Sequence, residues 1–237
     1  MEKENFMPFF YELLLYNTAY IVGGYFRDFL HQNQSRDIDI IVDIPNVTLS
    51  AHINSFKLNH TVNRHGGIKI KLKTINVDIW SIDTNWAFKN KLVRLNEADK
   101  LNSIAKGCFY NFDALVINLS DLSYNLQYYK QFWETKKLDI LQKNSTYKNL
   151  NPSVEANILR AFYLQKEYKI LFTNNTRHYL IKKIGAISDF YNDAIRRLCE
   201  VKEQYPKYNS LTQTEINDYI NNLKTNITYR GQTQFDF

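Results

Sequence analysis

The sequence predicts a small α/β head followed by an all-helical region, and two observations support this division. Runs of β-branched residues punctuated by glycine fill the first part of the chain and have the length and composition of strands. The predicted strands lie at 19–22, 37–42, 68–73 and 77–82. From about residue 121 onward glycine becomes rare, and the apolar residues of 154–168 and 187–203 recur with helical spacing. We therefore expect one domain over residues 1–125 and a second over residues 126–237.

Helices are also expected between the strands of the head. They are predicted at 7–17, 25–31 and 97–106, and the second of them follows directly on a pair of glycines. In the helical region, Pro152 suits the first turn of the helix that starts near residue 154, and Asn151 has the side chain of an N-cap residue.

The composition is that of a globular protein. The 237 residues are 44% hydrophobic and 23% charged, which provides for a sizeable core and argues against a disordered chain. No stretch approaches the roughly 20 apolar residues that cross a bilayer. The apolar run 6–16 contains Pro8 and Glu12 and lacks the features of a signal peptide. Cys108 and Cys199 lack the spacing of a metal knuckle or a redox pair. We expect a cytoplasmic protein with reduced cysteines and no membrane partner.

The net charge of +6 is unevenly distributed along the chain. Of the 30 Lys and Arg residues, 13 lie in 1–126 and 17 in 127–237, whereas the 24 Asp and Glu residues divide into 13 and 11. A basic helical half beside a neutral head suggests that a polyanion such as a nucleic acid docks on the second half. An ordinary solvated helical surface explains the same numbers equally well.

Two carboxylates of the second predicted strand point to phosphoryl-transfer chemistry. Side chains alternate along a strand, so Asp37 and Asp39 project from one face while the isoleucines between and after them enter the core. Two such anions repel each other unless a divalent cation lies between them. Asp78, a lone acid in the apolar strand 77–82, is a candidate for the third ligand, because burying it without a partner would be costly. The pattern predicts a two-metal Mg²⁺ site, with Mn²⁺ as a substitute.

A glycine pair at the end of the first predicted strand suggests a phosphate-binding turn. Gly23 and Gly24 run straight into a helix, an arrangement that brings bare backbone N–H groups against a phosphate chain. Arg27, one turn into that helix, is predicted to add a bidentate contact to the phosphates. Asp28 cannot bind phosphate, and we assign it to orienting Arg27 or the loop.

Together these residues resemble the class II branch of the polymerase-beta-like nucleotidyltransferases, which contains the tRNA CCA-adding enzymes and bacterial poly(A) polymerases. The family carries Gly-Gly-x-x-Arg-Asp followed by Asp-x-Asp, and this chain has both motifs, at 23–28 and 37–39. Ile158-Leu159-Arg160-Ala161 is similar to the Leu-Arg-Ala after the family's base-reading motif. The resemblance implies a head of mixed sheet flanked by helices, then a helical neck and body. It also implies a nucleoside triphosphate substrate and makes Arg160 a candidate nucleotide-binding residue.

Two segments depart from the family pattern. The charged residues that help the family select ribose are replaced by Gly107-Cys108-Phe109, ahead of Tyr110-Asn111-Phe112-Asp113-Ala114-Leu115. The base-reading positions align with 153–157 and keep neither the acid pair nor the arginine. Asn157 and Glu155 remain able to hydrogen-bond a base, since an amide pairs bidentately with adenine. The alternative is that they are helix-surface polar residues.

Three functions are consistent with these residues. The first is template-independent transfer of NMP or dNMP to a hydroxyl acceptor, a nucleic-acid 3′ end such as that of tRNA. The second keeps this chemistry in an antiviral defence or toxin enzyme that makes a short oligonucleotide, with one of the 17 tyrosines as a possible protein primer. The third is an inactive nucleotide-binding module. The sequence leaves open whether the chain forms an oligomer or has a protein partner.

Overall fold

The structure is a computed structural model that describes residues 2–35, 37–63, 66–142 and 153–232. It divides into two compact units, Met1–Thr135 and Lys136–Phe237. None of the described helices is long and apolar enough to cross a bilayer.

A seven-stranded mixed sheet forms the centre of the first unit, the head. Its strands in chain order are β1 (Ala19–Val22), β2 (Asp37–Val42), β3 (His60–Val62), β4 (Ile68–Lys71), β5 (Asn76–Ser81), β6 (Val116–Asn118) and β7 (Tyr124–Asn125). Their order across the sheet is β3-β4-β5-β2-β1-β6-β7. Among the described strands of this sheet, β2 and β5 pair in parallel and the other pairs are antiparallel. The predicted mixed sheet is therefore confirmed.

Within the described part of the head, six helices and one 3-10 turn accompany this sheet. They are α1 (Glu2–Tyr16), α2 (Gly24–Leu30), α3 (Asn46–Ser55), α4 (Trp86–Lys89), α5 (Lys100–Gly107), the turn Asn111–Asp113 and α6 (Gln127–Thr135). The helix predicted at 97–106 begins later, at Lys100, because the side chain of Asp99 accepts a hydrogen bond from the backbone N–H of Asn102 and caps the helix there.

The core of the head lies on one face of the sheet. Alternate residues of the central strands, such as Ile40 and Val42 on β2 and Val77 and Ile79 on β5, are buried in the same cluster as apolar residues of α1 and α3. Strand β4 follows the predicted alternation, with Ile70 buried and Lys71 exposed, but it ends at Lys71 where a turn begins. The opposite face carries the polar residues Asp37 and Asp39 at the start of β2 and Asn76 and Asp78 at the start of β5, and the buried Ile41 further along β2.

The second unit is mostly helical. It contains α7 (Val154–Tyr168), α8 (Asn174–Tyr191), α9 (Ala194–Lys202), the 3-10 turn Pro206–Tyr208 and α10 (Gln213–Gln232). A short parallel pair, β8 (Lys137–Leu138) and β9 (Leu171–Phe172), was not predicted, because two-residue strands leave no periodic pattern.

Two helix boundaries of the second unit have clear local causes. The predicted helix 187–203 is divided between α8 and α9, because Asn192 adopts a left-handed conformation (φ 62°) and Asp193 caps α9 through the N–H of Arg196. Helix α7 is capped by Ser153, which accepts from the N–H of Ala156 at 3.1 Å. Asn151, the predicted cap, and Pro152, predicted for the first turn, lie outside the described residues.

Candidate active site

The structure brings the three predicted metal-binding carboxylates to one face of the sheet. Strands β2 and β5 are adjacent and parallel, and Asp39 is the register partner of Asp78. Asp37 lies two residues before Asp39 and is the partner of Asn76, so all four side chains project from the same face. Neighbouring strands are about 4.8 Å apart, which makes Asp39 and Asp78 direct neighbours.

Asn76 belongs to this group although the sequence analysis did not select it. Its side-chain N–H₂ donates a hydrogen bond of 2.8 Å to Oδ1 of Asp37 and so orients that carboxylate. The spacing Asn76-x-Asp78 repeats that of Asp37-x-Asp39 on the neighbouring strand. This repeated spacing could have identified Asn76 from the sequence, but only if the two strands were known to be adjacent.

Asp78 is the most buried of the carboxylates on this face. Its side chain is only 13% exposed, and its Oδ2 lies 3.2 Å from Nζ of Lys69 on β4. Its Oδ1 is buried and has no hydrogen-bond partner among the described residues. Burial raises the pKa of Asp78, the ammonium of Lys69 opposes that rise, and the negative charge of Asp37 adds to it. The ionised form of Asp78 therefore lacks part of the stabilisation that a cation would supply.

The glycine turn lies directly against this cluster. Val22, the last residue of β1, is the register partner of Asp39, and Gly23 follows with φ at 87°. A Cβ on Gly23 would lie 3.2 Å from Oδ2 of Asp39, which is tighter than an ordinary contact. Both the backbone conformation and the close approach therefore require glycine here.

Arg27 has two carboxylate partners inside the protein. Its Nε and Nη2 donate to Oδ1 of Asp28 at 2.8 and 2.5 Å, its Nη1 donates to Asp113, and its guanidinium lies over the ring of Phe112. A Cβ on Gly24 would lie 2.8 Å from Arg27 Nη2, so the second glycine makes room for this side chain. Asp28 thus contacts Arg27, and its role in orienting Arg27 or the loop stays a prediction. The contact of Arg27 with phosphate stays a prediction.

Asp113 was not selected from the sequence. It lies in the segment that takes the place of the family's sugar-reading residues, where Phe109, Tyr110 and Phe112 are all buried. Its side chain is 6% exposed and accepts from Arg27. The sequence pattern that could have identified Asp113 is the one used for Asp78, namely a lone acid among apolar residues. In this structure the segment contributes to the core of the head and anchors α2.

A family model supports the same interpretation of the head. The model described as the Poly A polymerase head domain matches residues 19–104. Residues 19–104 are therefore similar to this head domain. The matched range contains the glycine turn and all three aspartates, and the resemblance to the class II CCA-adding and poly(A) polymerase type of nucleotidyltransferase head is confirmed.

Solved structures share the fold of the chain. They include a CCA-adding enzyme with ATP (TM-score 0.62, 15% identity, covering 94% of this chain and 52% of that one). A tRNA nucleotidyltransferase complexed with a primer tRNA and an incoming ATP analog matches with a TM-score of 0.57 and 16% identity, over 88% of this chain and 58% of that one. The Thermotoga maritima CCA-adding enzyme complexed with tRNA_CCA matches with a TM-score of 0.59 and 15% identity, over 89% and 47% of the two chains.

The chain spans about half the length of these enzymes. At such identities the likeness concerns the fold, and the predicted order of a mixed-sheet head followed by a helical region is confirmed. No match was found among curated protein sequences.

The oxygen donors of Asp37, Asp39 and Asp78 suit a hard divalent cation such as Mg²⁺. The buried Oδ1 of Asp78 lacks a partner, and Asp37 and Asp39 face the same side. Among the described residues, no three His, Cys, Asp or Glu side chains are close enough as they stand to hold a metal ion. The register of β2 and β5 places the three aspartates as neighbours on one face, and their carboxylate oxygens are of the type that the cation prefers. The chemistry of these residues therefore fits the cation.

The two nucleotide-binding candidates of the second unit lie on α7. Asn157 is fully buried, and Arg160 is half-buried. Glu155 is buried as well, and its Oε1 accepts from Nε of Arg197 on α9 at 3.0 Å. The alternative that Glu155 and Asn157 are surface polar residues is therefore wrong for this structure. Contact of Asn157 and Arg160 with a nucleotide stays a prediction.

Proposed function

We propose that this chain transfers a nucleoside monophosphate, ribo- or deoxyribo-, from a nucleoside triphosphate to a hydroxyl acceptor. The observation that carries the proposal is the juxtaposition of Asp39 and Asp78 on neighbouring strands, with Gly23 directly against Asp39. Three acids on one face are unfavourable for the folded chain by itself, and phosphoryl transfer is chemistry that needs such a set. Pyrophosphate is the leaving group.

The proposed roles follow from the contacts of each residue. Asp37, Asp39 and Asp78 hold Mg²⁺, for which Mn²⁺ can substitute, and Asn76 orients Asp37 for this task. Bound Mg²⁺ neutralises charge on the triphosphate and makes the attacking hydroxyl a better nucleophile. Gly23 leaves room for the triphosphate beside Asp39, because it has no side chain. Arg27 and Asp28 maintain the start of α2 next to that turn.

The acceptor in this proposal is the 3′ end of a nucleic acid such as tRNA. The poly A polymerase head and the structural likeness to enzymes solved with tRNA and with ATP or CTP support this choice. The excess of Lys and Arg in residues 127–237 also favours a polyanion. Asn157 and Arg160 are proposed to contact the nucleotide from the helical unit.

A labelled-nucleotide screen tests this function. The purified chain is incubated with Mg²⁺ and each labelled NTP or dNTP, with tRNA, with a single-stranded oligonucleotide, or with no acceptor. We expect labelled nucleic acid with at least one triphosphate, and none with the Asp37→Ala variant. No incorporation with any triphosphate in Mg²⁺ or Mn²⁺ would leave the inactive nucleotide-binding module as the explanation.

The same screen tests the second candidate. The charged ribose- and base-selecting residues of the family are replaced in this chain, which favours an enzyme with a different purpose, such as antiviral defence. In that case the label appears without added nucleic acid, either in a short oligonucleotide or on the protein itself. Mapping a labelled peptide to a tyrosine would identify a protein primer.

A further inference from the structure

The head contains a cationic pocket that none of the roles above uses. Its volume is about 400 Å³, and it lies on the outer strands β3, β4 and β5. Residues that line it include Asn59, His60, Lys69, Lys71, Lys73 and Asn76. We refer to it as the lysine pocket.

Two of its lysines have no internal counter-ion. Lys71 and Lys73 are exposed, and no carboxylate of the described residues lies within salt-bridge distance of either. Lys69 differs, because its Nζ is 3.2 Å from Oδ2 of Asp78. Lys69 and Lys71 are two residues apart on β4, about 6.6 Å, and therefore project from one face, and Lys73 lies just after the end of the strand and lines the same pocket. A row of like charges of this kind suits a polyanion better than a single anion.

The wall of the lysine pocket continues into the carboxylate cluster. Asn76 lines the pocket and donates to Asp37, and Lys69 lines it and contacts Asp78. A molecule that occupies the pocket is therefore separated from the aspartates only by the side chains of Asn76 and Lys69. This separates the lysine pocket from a general basic surface, which would have no defined position relative to the site.

The order of strands sets the direction in which a substrate would run. The glycine turn follows β1, the aspartates lie on β2 and β5, and the lysines lie on β4 and beyond it, in that order across the sheet. Strands β1 and β4 are three spacings apart, or about 14 Å. The aspartates thus lie between the glycine turn and the lysine pocket.

We propose that the lysine pocket binds the phosphodiester backbone of the acceptor strand, next to its reacting 3′ end. In-line phosphoryl transfer requires the attacking hydroxyl and the leaving pyrophosphate on opposite sides of the phosphorus. If the triphosphate lies at the glycine turn, the acceptor must approach from the β4 side, where Lys71 and Lys73 are available. This inference rests on the proposed function for the position of the triphosphate.

A binding measurement without nucleotide or metal tests the pocket separately from catalysis. A fluorescent single-stranded oligonucleotide is titrated with the full chain at several salt concentrations, and the slope of log K against log salt is recorded. Replacement of both exposed lysines, Lys71→Gln with Lys73→Gln, should reduce the slope by about 1.4, at roughly 0.7 for each lost phosphate contact. Both side chains are exposed, so the fold should tolerate the change.

A charge-matched control comes from the same unit. Lys89→Gln with Lys91→Gln removes two exposed positive charges at the end of α4, outside the pocket, and should leave the slope unchanged. Equal slopes for the two double variants would overturn the proposal, as would failure of the wild-type chain to bind the oligonucleotide. Loss of affinity for a nucleoside triphosphate, with oligonucleotide binding intact, would assign the pocket to the triphosphate instead.

If the chain transfers nucleotides, kinetics add a second readout. The pocket variant should raise KM for the oligonucleotide acceptor and leave KM for the triphosphate as in the wild type. A chain that binds the oligonucleotide through the pocket but transfers nothing would refute the proposed function and the acceptor role of the pocket, while the binding of a nucleic-acid backbone by the pocket would stand.

Discussion

At the scale of single residues, the site is a set of acidic side chains whose proximity is unfavourable for the stability of the fold. Asp78 is buried, its Oδ1 lacks a hydrogen-bond partner among the described residues, and its salt bridge to Lys69 does not cancel the effect of burial on its pKa. Asp37 adds a second negative charge on the same face. Such an arrangement is unfavourable for the folded chain by itself and supports the proposed function of these acids.

The first prediction concerns Asp37. Replacing Asp37 by Ala removes one proposed metal ligand and should lower incorporation of labelled nucleotide by about 100-fold or more, the scale of losing one preorganised electrostatic group. The fold should persist, because a repulsive charge is lost with it, and circular dichroism with thermal unfolding checks this. Asp121→Ala, on an exposed turn, is the control and should keep wild-type turnover. Full activity of the Asp37 variant would refute the metal assignment.

A second prediction uses the raised pKa of Asp78. The pKa of Asp78 is higher in the folded state than its ordinary value of 3.8. The protonated group therefore stabilises the fold when the pH is below 3.8, and this stabilisation is lost as the pH rises through the pKa of the folded state. In metal-free buffer at neutral pH the ionised carboxylate of Asp78 therefore lowers the free energy of unfolding. Asp78→Asn should raise the free energy of unfolding near pH 7, with a gain that shrinks toward about pH 4.

Urea unfolding in the presence of a chelator, over that pH range, measures this gain. Asp121→Asn provides the contrast, since hydrogen bonds from Ser123 lower the pKa of Asp121 and make its charge favourable to folding. A loss of stability for the Asp78 variant at pH 7 would show that the salt bridge with Lys69 outweighs the burial of the carboxylate.

At the scale of secondary-structure elements, an ion pair joins α2 to the 3-10 turn 111–113. Arg27 and Asp113 are 86 residues apart in the chain, and their side chains are only 12% and 6% exposed. Helix α2 has no fully buried residue of its own. We infer that this polar anchor, more than apolar packing, maintains the helix beside the glycine turn.

Removing one partner of the Arg27–Asp113 ion pair should therefore lower the stability of the protein. Arg27→Ala leaves the Asp113 carboxylate buried without its arginine, and breaking a buried pair in this way costs about 3 kcal/mol or more of unfolding free energy. Chemical denaturation measures it, with Arg94→Ala, an exposed arginine of the same unit, as the control. An unchanged stability combined with a raised KM for the triphosphate would instead support direct contact between Arg27 and phosphate.

At the scale of the whole molecule, charge and chemistry are divided between the two halves of the chain. The aspartates and the glycine turn belong to the unit Met1–Thr135, whereas the excess of basic residues lies in 127–237. A long acceptor would gain affinity from the second half and alignment from the lysine pocket. In that case the basic second half would supply non-specific electrostatic attraction, the lysine pocket would position the strand, and the two effects could be measured separately.

Salt dependence should reveal this division. We expect the affinity for a tRNA-length strand to fall more steeply with salt than the affinity for a short oligonucleotide, by about 0.7 in log–log slope for every additional single-stranded phosphate contact. Fluorescence anisotropy with RNAs of increasing length measures the slopes. Identical slopes for short and long RNAs would mean that the basic half does not take part in binding.

Local features of the site and fold could be predicted because they depend on near neighbours in the chain. Alternation along β2 places Asp37 and Asp39 on one face whatever the rest of the protein does. A glycine pair between a strand and a helix indicates a turn for similar reasons. The division of 187–203 into α8 and α9 also had a local cause, at Asn192 and Asp193, but helical periodicity in the apolar residues concealed it.

The sequence by itself determined the alternation of the aspartates, the glycine turn and the order of a mixed-sheet head before a helical region. Only the tertiary structure decided that Asp78 neighbours Asp39, that Asn76 orients Asp37 and that Lys69 pairs with Asp78. The physical reason is register. The backbone alone sets which face a residue occupies, whereas the partner across a strand pair depends on how some forty intervening residues pack, as for Asn76 and Asp37, 39 positions apart.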